Sequence, residues 1–225
     1  MTMHLFRDLD RLKHEILSMG GLTEKAINTA ITALENRDRT MAEAVIAGED
    51  EIDRKEVEIA EECLKVLALH QPVASDLRFV VAVMMVNNDL ERIADLAANI
   101  AERAIFLAGQ TSQVSYPTEL TGMAAEVRSM VTRSLDALVN QNSELAREVI
   151  DLDDRIDDAH RRMFETMKDL VRTSPDSLDQ VIHILSVSRY LERIGDHATN
   201  IAEDVIFMVS GEIIRHQPDA GESPR

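Results

Sequence analysis

The chain has 225 residues, of which 45% are hydrophobic and only 3% are aromatic, with 8 glycines, 5 prolines and no tryptophan. This composition supports one large or two small helical cores and argues against a disordered chain or an all-β fold. The formal charge of −17 disfavours nucleic acid and anionic membranes as partners, because both would repel the chain. We therefore expect cations and basic protein surfaces as partners.

The first ten residues are charged and amphipathic, whereas a secretory signal would carry a continuous apolar stretch. The densest apolar run, 79–86, is far shorter than the roughly 20 residues of a membrane-spanning helix. A single cysteine, Cys63, excludes an internal disulfide and a CxxC motif, and we expect it to be buried. These features predict a cytoplasmic protein that inserts no segment into a membrane and reaches the inner membrane face only through partners.

Prolines and polar turns divide the chain into six long predicted helices. Pro72, Pro117 and Pro175 each precede or begin an apolar-periodic stretch, and proline is tolerated at the start of a helix but not in its interior. Other breaks are predicted near 36–40, 109–118 and 140–143, with Ser143 as a helix cap. The predicted helices are 4–36, 39–69, 74–108, 118–140, 143–173 and 176–210.

The sequence contains two copies of one unit. Residues 33–53 reappear at 137–157, a shift of 104, and 90–102 reappear at 191–203, a shift of 101, with ten of these thirteen positions identical. Since the shift falls by three, the connection before the third helix, around 70–72, should be longer in the first copy. We predict an all-α fold of two tandem three-helix bundles, 1–110 and 116–212, followed by a flexible tail at 213–225.

The second repeated segment places oxygen ligands along one face of a helix. At 100° per residue, a narrow stripe is formed in the first copy by Glu91, Asp95, Asn99 and Glu102, and in the second by Glu192, Asp196, Asn200 and Glu203. The opposite side of the first helix is apolar, so we expect the stripe to face outward. Carboxylates four residues apart repel each other and destabilise a helix, and a bound cation would compensate for this. Two alternatives to a bound cation remain. The arginines at 92, 103 and 193 could offset the repulsion between the carboxylates, or the stripe could be an ordinary solvated helix face.

A metal ion on either stripe needs further ligands from a neighbouring helix. The second helix of each copy offers acids at the same four-residue spacing: Glu49 and Asp53 in the first, Asp153 and Asp157 in the second, with Asp50, Glu56 and Asp154 as weaker candidates. These acids lie inside the predicted helices, so a favourable interaction with a helix start does not explain them. Carboxylate and amide oxygens suit Mg²⁺, Mn²⁺ or iron rather than a zinc site built from Cys and His.

The two blocks Leu-Glu-Arg-Ile-(Ala/Gly)-Asp-x-Ala-x-Asn-Ile-Ala-Glu, at 90–102 and 191–203, resemble the signature of the PhoU family. The resemblance covers nearly the whole chain, including its length and duplication. It implies two three-helix bundles, multinuclear metal sites at Glu/Asp-x-x-x-Asp motifs and a homodimer. It also implies a negative regulator of the phosphate-starvation response that links the phosphate-specific ABC transporter and its ATPase to a sensor histidine kinase.

Carried over residue by residue, the resemblance assigns the metal motifs to Glu91/Asp95 and Glu192/Asp196, with Asp53 and Asp157 from the second helices. The first copy departs from the family pattern at Ala94 and Leu96, where the second copy has Gly195 and His197. His197 follows Asp196 by about 100° around the helix, so we expect it at a flank or an interface rather than on the metal.

Three functions from different classes remain open at this point. The first is a non-catalytic regulator that carries metal, and the second is a structural helical adaptor without functional metal. The third is a metal-dependent phosphate-ester hydrolase, for which two close divalent ions would be suitable. The sequence offers no recognisable general base, phosphate loop or nucleophile elbow, so we favour a protein that is not an enzyme.

Overall fold

A computed structural model describes residues 3–111 and 114–214 of the chain. Within these residues the chain is helical and contains no strand. The helices are α1 (Met3–Asn36), α2 (Arg39–Ala47), α3 (Glu49–His70), α4 (Ala74–Ala108), α5 (Thr118–Asn140), α6 (Ser143–Ile150), α7 (Asp153–Thr173) and α8 (Leu178–Ser210), with a 3-10 turn at Pro175–Ser177. Six of them are long, as predicted, and α2 and α6 are short.

The second and fifth predicted helices are each broken into a short and a long helix. The breaks fall at Gly48, between α2 and α3, and at 151–152, between α6 and α7. The predictions of continuous helices over 39–69 and 143–173 are therefore wrong. Gly48 and Leu152 occupy equivalent positions in the two copies, because they are related by the repeat shift of 104. Both have a right-handed backbone conformation with ψ close to zero. The break is thus a property of the repeated unit.

The turns that precede α2 and α6 are also copies of each other. Arg37 and Gln141 adopt left-handed backbone, with φ of 52° and 50°. The side chains of Asp38 and Asn142 then accept hydrogen bonds of 3.0 and 3.1 Å from backbone N–H groups of the first helical turn. Asn142 is the cap of α6, and the prediction of Ser143 is wrong because Ser143 is already the first residue of the helix.

The connections before the third helices differ between the two copies. Residues 71–73 separate α3 from α4, whereas Ser174 alone separates α7 from the 3-10 turn that leads into α8. Under the repeat shift of 101, this turn corresponds to the first three residues of α4. The longer connection predicted for the first copy is therefore confirmed.

Two three-helix bundles are formed, as predicted, by α1, α3 and α4 and by α5, α7 and α8. The most extensive contact between helices joins α4 and α8, so the third helices of the two bundles pack against each other at the centre. Helix α1 also packs closely on α5, where a Cβ added to Gly20 would lie 2.9 Å from Leu135 Cδ2. The buried side chains of both bundles join into one hydrophobic core.

The apolar side of α4 is buried as expected. Its core-facing residues are each 1% exposed or less: Leu90, Ile93, Ala97, Ile100 and Ala104. Cys63 is also fully buried. Among the described helices, none combines the length and the apolar character needed to span a membrane. Of the tail predicted at 213–225, Ile214 packs against the core, and residues 215–225 lie outside the described residues.

Candidate metal centres

Three carboxylates converge where α3 packs beside α4. One oxygen each of Asp53 on α3 and of Glu91 and Asp95 on α4 lie within 4.8 Å of one another. Across 3–111 and 114–214, no other three Asp, Glu, His or Cys side chains meet this closely. The two α4 acids are one turn apart, so both point toward the same part of α3. The arrangement gives three oxygen donors from two helices around one point.

A fourth acid, Glu49, belongs to the same group, and we call these four residues the first cluster. Burial raises the pKa of Glu49, and the negative charges of Asp95 and Asp53 raise it further. The pKa of Glu91 is raised by burial and then by repulsion from Asp95. Arg92 offsets part of this, with its guanidinium 3.3 Å from Glu91 and 3.5 Å from Asp95. The remaining repulsion is what a bound cation would relieve.

The stripe on α4 faces outward only in part: Glu102 is 53% exposed, but the first two acids are partly covered. The side chains of Glu91 and Asp95 are 21% and 31% exposed, because α3 lies over them. Periodicity correctly places these acids opposite the core but does not reveal that a neighbouring helix covers them. Partial burial strengthens both their mutual repulsion and their attraction for a cation, since fewer water molecules screen the charges.

The position of two second-helix acids also differs from the prediction. Because the helices break, Glu49 is the first residue of α3 and Asp153 is the first residue of α7. Both acids therefore lie at a helix start, where the helix dipole favours negative charge. Asp53 and Asp157 lie one turn further along α3 and α7, so the helix dipole does not explain why acids stand there.

The second cluster consists of Asp153 and Asp157 on α7 and Glu192 and Asp196 on α8. Burial raises the pKa of Asp153, and the charges of Asp196 and Asp157 raise it further. The pKa of Asp196 is raised by burial, then by Glu192 and Asp157. The Thr199 hydroxyl donates a 3.4 Å hydrogen bond to Asp153, a contact that the sequence pattern did not indicate. These acids repel one another as in the first cluster, but no three of their oxygens lie within 4.8 Å of one another.

The other four stripe residues make different contacts. Asn99 donates to a backbone carbonyl one turn earlier in α4. Glu102 pairs with the adjacent arginine at 2.8 Å, although its charge still contributes to the raised pKa of Glu49. Asn200 Nδ2 donates to a carboxylate of α4 at 3.3 Å, and Glu203 lines a largely apolar cavity between α8 and the start of α4. The carboxylates that converge most closely on α4 are therefore the two nearest the start of its stripe.

A buried polar contact joins α4 to α8 at the centre of the molecule. The Asp89 side chain, 8% exposed, accepts hydrogen bonds from His197 Nδ1 at 2.7 Å and from Asn200. His197 is thus an interface residue, as expected. Sequence reasoning missed Asp89 because it lies on the opposite side of α4 from Glu91, and its partners are distant in sequence.

This contact explains one departure of the first copy from the family pattern. Leu96, the repeat counterpart of His197, is buried among apolar side chains. The second departure, Ala94, is sterically mild: a Cβ added at the equivalent Gly195 would meet Ile156 at 3.7 Å, an ordinary contact distance. Neither difference alters the carboxylates of the first cluster.

The residues present fit a hard cation at both clusters. Each cluster offers four carboxylates from two helices, without thiolate or imidazole donors, which is the ligand set that Mg²⁺, Mn²⁺ and iron accept. In four of these acids, burial and then neighbouring negative charges raise the pKa: Glu49, Glu91, Asp153 and Asp196. Such a group can bind an ion and thereby reverse the local sign of the electrostatic potential.

Comparisons with known proteins agree with this architecture. The PhoU domain family matches residues 16–104 and 120–205, one match for each bundle. A relative from Pseudomonas putida is 38% identical over 209 residues, covering 93% of this chain and 82% of its own, and one from Aquifex aeolicus is 38% identical over 215 residues, covering 96% and 97%. Both are named phosphate-specific transport system accessory protein PhoU homolog.

Solved structures show the same fold. The crystal structure of PhoU from Pseudomonas aeruginosa aligns with a TM-score of 0.89 at 36% identity, covering 92% of this chain and 99% of that one. The phosphate transport system regulatory protein PhoU from Streptococcus pneumoniae aligns with a TM-score of 0.84 at 28% identity, covering 93% and 99%. Together with the repeated signature blocks and the two bundles, these similarities show that the chain belongs to the PhoU family.

Proposed function

We propose that this chain is a non-catalytic, metal-binding negative regulator of the phosphate-starvation response. In this proposal it acts in the cytoplasm, where it contacts the ATPase of the phosphate-specific ABC transporter and a membrane sensor histidine kinase. The names of its relatives, which describe an accessory protein of phosphate-specific transport, support the link to that transporter. The two repeats, 1–110 and 116–212, would each supply one metal-bearing surface.

The observation that carries the proposal is the duplication of the acidic clusters. Each bundle pairs two acids of its second helix with a Glu-x-x-x-Asp motif of its third helix, and in each the acids repel one another. A solvated helix face would not need acids from two helices to meet. Four carboxylates in one group, most of them half-buried, favour binding of a divalent or trivalent cation, with Mg²⁺, Mn²⁺ or iron preferred to Zn²⁺.

Bound ions also supply a mechanism for docking. A chain with a net charge of −17 approaches acidic protein surfaces only against repulsion. Cations held in the clusters would reverse the local potential and bridge to carboxylates of a partner or to phosphate. Loading of the clusters would thus control whether the regulator binds its transporter and kinase.

The proposal is tested by emptying both clusters in cells. A strain carrying Asp95→Asn with Asp196→Asn should express phosphate-scavenging genes in phosphate-rich medium, as a deletion strain should. Glu165→Gln with Asp169→Asn is the matched control, because this Glu-x-x-x-Asp pair on α7 is 66% and 71% exposed and each acid pairs with a basic side chain of its own helix. Immunoblots and circular dichroism establish that each variant is folded and abundant. Normal repression by a verified metal-free double variant would contradict the proposed role of the metal and favour a structural adaptor.

We also propose that the chain forms a homodimer. Light scattering of the purified chain at several concentrations tests this. A molar mass near twice 25.2 kDa is expected, and a mass that stays at the monomer value throughout would contradict it.

A further inference from the structure

A cavity lies in the first bundle at the break between α2 and α3. It has a volume of about 170 Å³, and its lining includes Leu22 and Ala26 of α1, Val45 of α2, and Gly48 and Ile52 at the break. We call it the break cavity. An apolar cavity of about 150 Å³ in a protein can hold benzene, so the break cavity admits a group of about six non-hydrogen atoms.

The second copy has larger side chains at equivalent positions. The repeat shift of 104 relates the ends of α1 and α5, and under this shift Gly48 corresponds to Leu152 and Ala26 to Met130. Leu152 packs against the core, and Met130 is fully buried. An aliphatic group bound in the break cavity would therefore restore apolar contacts of the kind that the second copy makes with its own side chains.

Two ion pairs of the second copy also have no counterpart in the first. Arg133 of α5 pairs with Glu148 of α6, and Arg155 of α7 pairs with Glu126 of α5 at 3.5 Å. The equivalent residues of the first copy all line the break cavity: Thr29, Ala44, Glu51 and Leu22. These four cannot form the same bridges, so the first copy leaves a cavity between helices that the second copy joins by ion pairs.

Two opposite charges belong to the lining of the break cavity. Lys25 of α1 and Glu51 of α3 are both exposed, and neither takes part in an ion pair within the part of the chain that the structure describes. Lys55, one turn beyond Glu51, is bound to Glu15 at 2.6 Å. Glu24, next to Lys25, accepts a hydrogen bond from a threonine of α5. The break cavity therefore offers one cation and one anion beside an apolar surface.

We propose that the break cavity binds an aliphatic α-amino acid such as leucine. The four-carbon side chain enters the apolar part, the carboxylate contacts Lys25 and the ammonium contacts Glu51. A zwitterion matches a lining that carries one charge of each sign, whereas a simple carboxylic acid or a simple amine leaves one of the two charges unmatched. The site uses none of the carboxylates of the first cluster and requires no metal.

Calorimetric titration of the full chain with free amino acids tests this proposal. We expect saturable binding of leucine. Alanine, which lacks three of its carbon atoms, should bind about fiftyfold more weakly. Gly48→Leu should abolish binding, because it introduces the side chain that the second copy has at this position. The φ of Gly48 is −85°, and an added Cβ would lie 3.4 Å from the carbonyl oxygen of Val45, so the fold tolerates the substitution.

The two charged contacts can be tested from the side of the protein and from the side of the ligand. Lys25→Gln and Glu51→Gln should each weaken leucine binding about tenfold, because each removes a hydrogen bond between charged groups. Leucinamide lacks the carboxylate, so it should bind the unchanged chain about tenfold more weakly than leucine does. It should bind Lys25→Gln as well as leucine does, which distinguishes a direct contact from a change in the fold.

Three variants serve as matched controls. Gly122→Leu adds an exposed leucine to α5, and Lys168→Gln and Glu165→Gln each remove an exposed charge from α7. All three should bind leucine like the unchanged chain, with circular dichroism showing that every variant is folded. The proposal is overturned if leucine gives no saturable heat or if Gly48→Leu still binds it. Equal binding of leucine and N-acetylleucinamide, which carries neither charge, would also overturn it and assign the cavity to a side chain of a protein partner.

Discussion

Neutralising the first cluster should change the stability of the chain in opposite directions with and without metal. We consider Glu91→Gln combined with Asp95→Asn, which keeps the shape of both side chains. At 4.8 Å, the repulsion between two unit charges is about 0.9 kcal/mol in bulk water and about 3.5 kcal/mol at an effective dielectric constant of 20. Arg92 offsets part of it, and both acids keep some solvent contact, so we expect the metal-free variant to gain about 1 kcal/mol.

The same variant should lose the stabilisation that metal gives. An ion that binds only the native state contributes about 2.7 kcal/mol at a hundredfold excess over its Kd. For a chain of this size, 1 kcal/mol shifts the Tm by roughly 2–4 °C. The variant should therefore melt a few degrees above the unchanged chain after chelation and several degrees below it in Mn²⁺.

Thermal unfolding followed by circular dichroism measures both effects, with the exposed pair Glu165→Gln and Asp169→Asn as the control. A pH series adds a second check. Because the folded-state pKa of Glu91 is raised above 4.5, the metal-free chain should gain stability as the pH falls from neutral toward that value. The variant should lose the part of this gain that comes from Glu91, whereas Asp153 and Asp196 of the second cluster keep theirs. If the variant is less stable than the unchanged chain without metal, the two acids are structural and the reasoning is refuted.

Three further predictions concern contacts outside the clusters. Asp89→Ala should lower the free energy of unfolding in urea by about 1–3 kcal/mol, because His197 and Asn200 lose a buried acceptor; unchanged stability would show that they find other partners. Asn142→Ala should cost about 1 kcal/mol by removing the cap of α6, and an effect below a few tenths would contradict that role. Burial raises the pKa of Cys63 to about 12, so the native chain should resist a thiol reagent at pH 8 that labels it rapidly in urea; rapid native labelling would contradict burial.

The ends of the long helices were the most predictable part of the fold. Helices α4 and α5 begin and end at the predicted residues, since Pro72 and Pro117 stand before them and Gly109 follows α4. The duplication of the sequence then predicted three helices in each bundle. The break at 151–152 was not predictable, because a residue such as Leu152 favours helix.

The candidate metal centres were predictable only in part. Helical periodicity identifies acids that share a face, and the repeat identifies which acids of the preceding helix belong with them. Neither reveals which neighbour covers each end of a long helix. Asn200 shares a face with Asp196 by sequence, yet it points to Asp89 because α8 packs on α4 over that part of its length. Such contacts depend on how the bundles pack together, which short-range patterns do not encode.

The most direct test of the account is the metal content of the chain purified without an affinity tag. Elemental analysis would compare the unchanged chain with variants emptied at the first cluster, at the second cluster and at both. We predict bound Mg, Mn or Fe in the unchanged chain, a partial loss in each variant with one cluster emptied and a complete loss when both are emptied. Equal metal content in all four proteins, or failure of the unchanged chain to bind these ions when they are added, would contradict the claim that the clusters are metal sites.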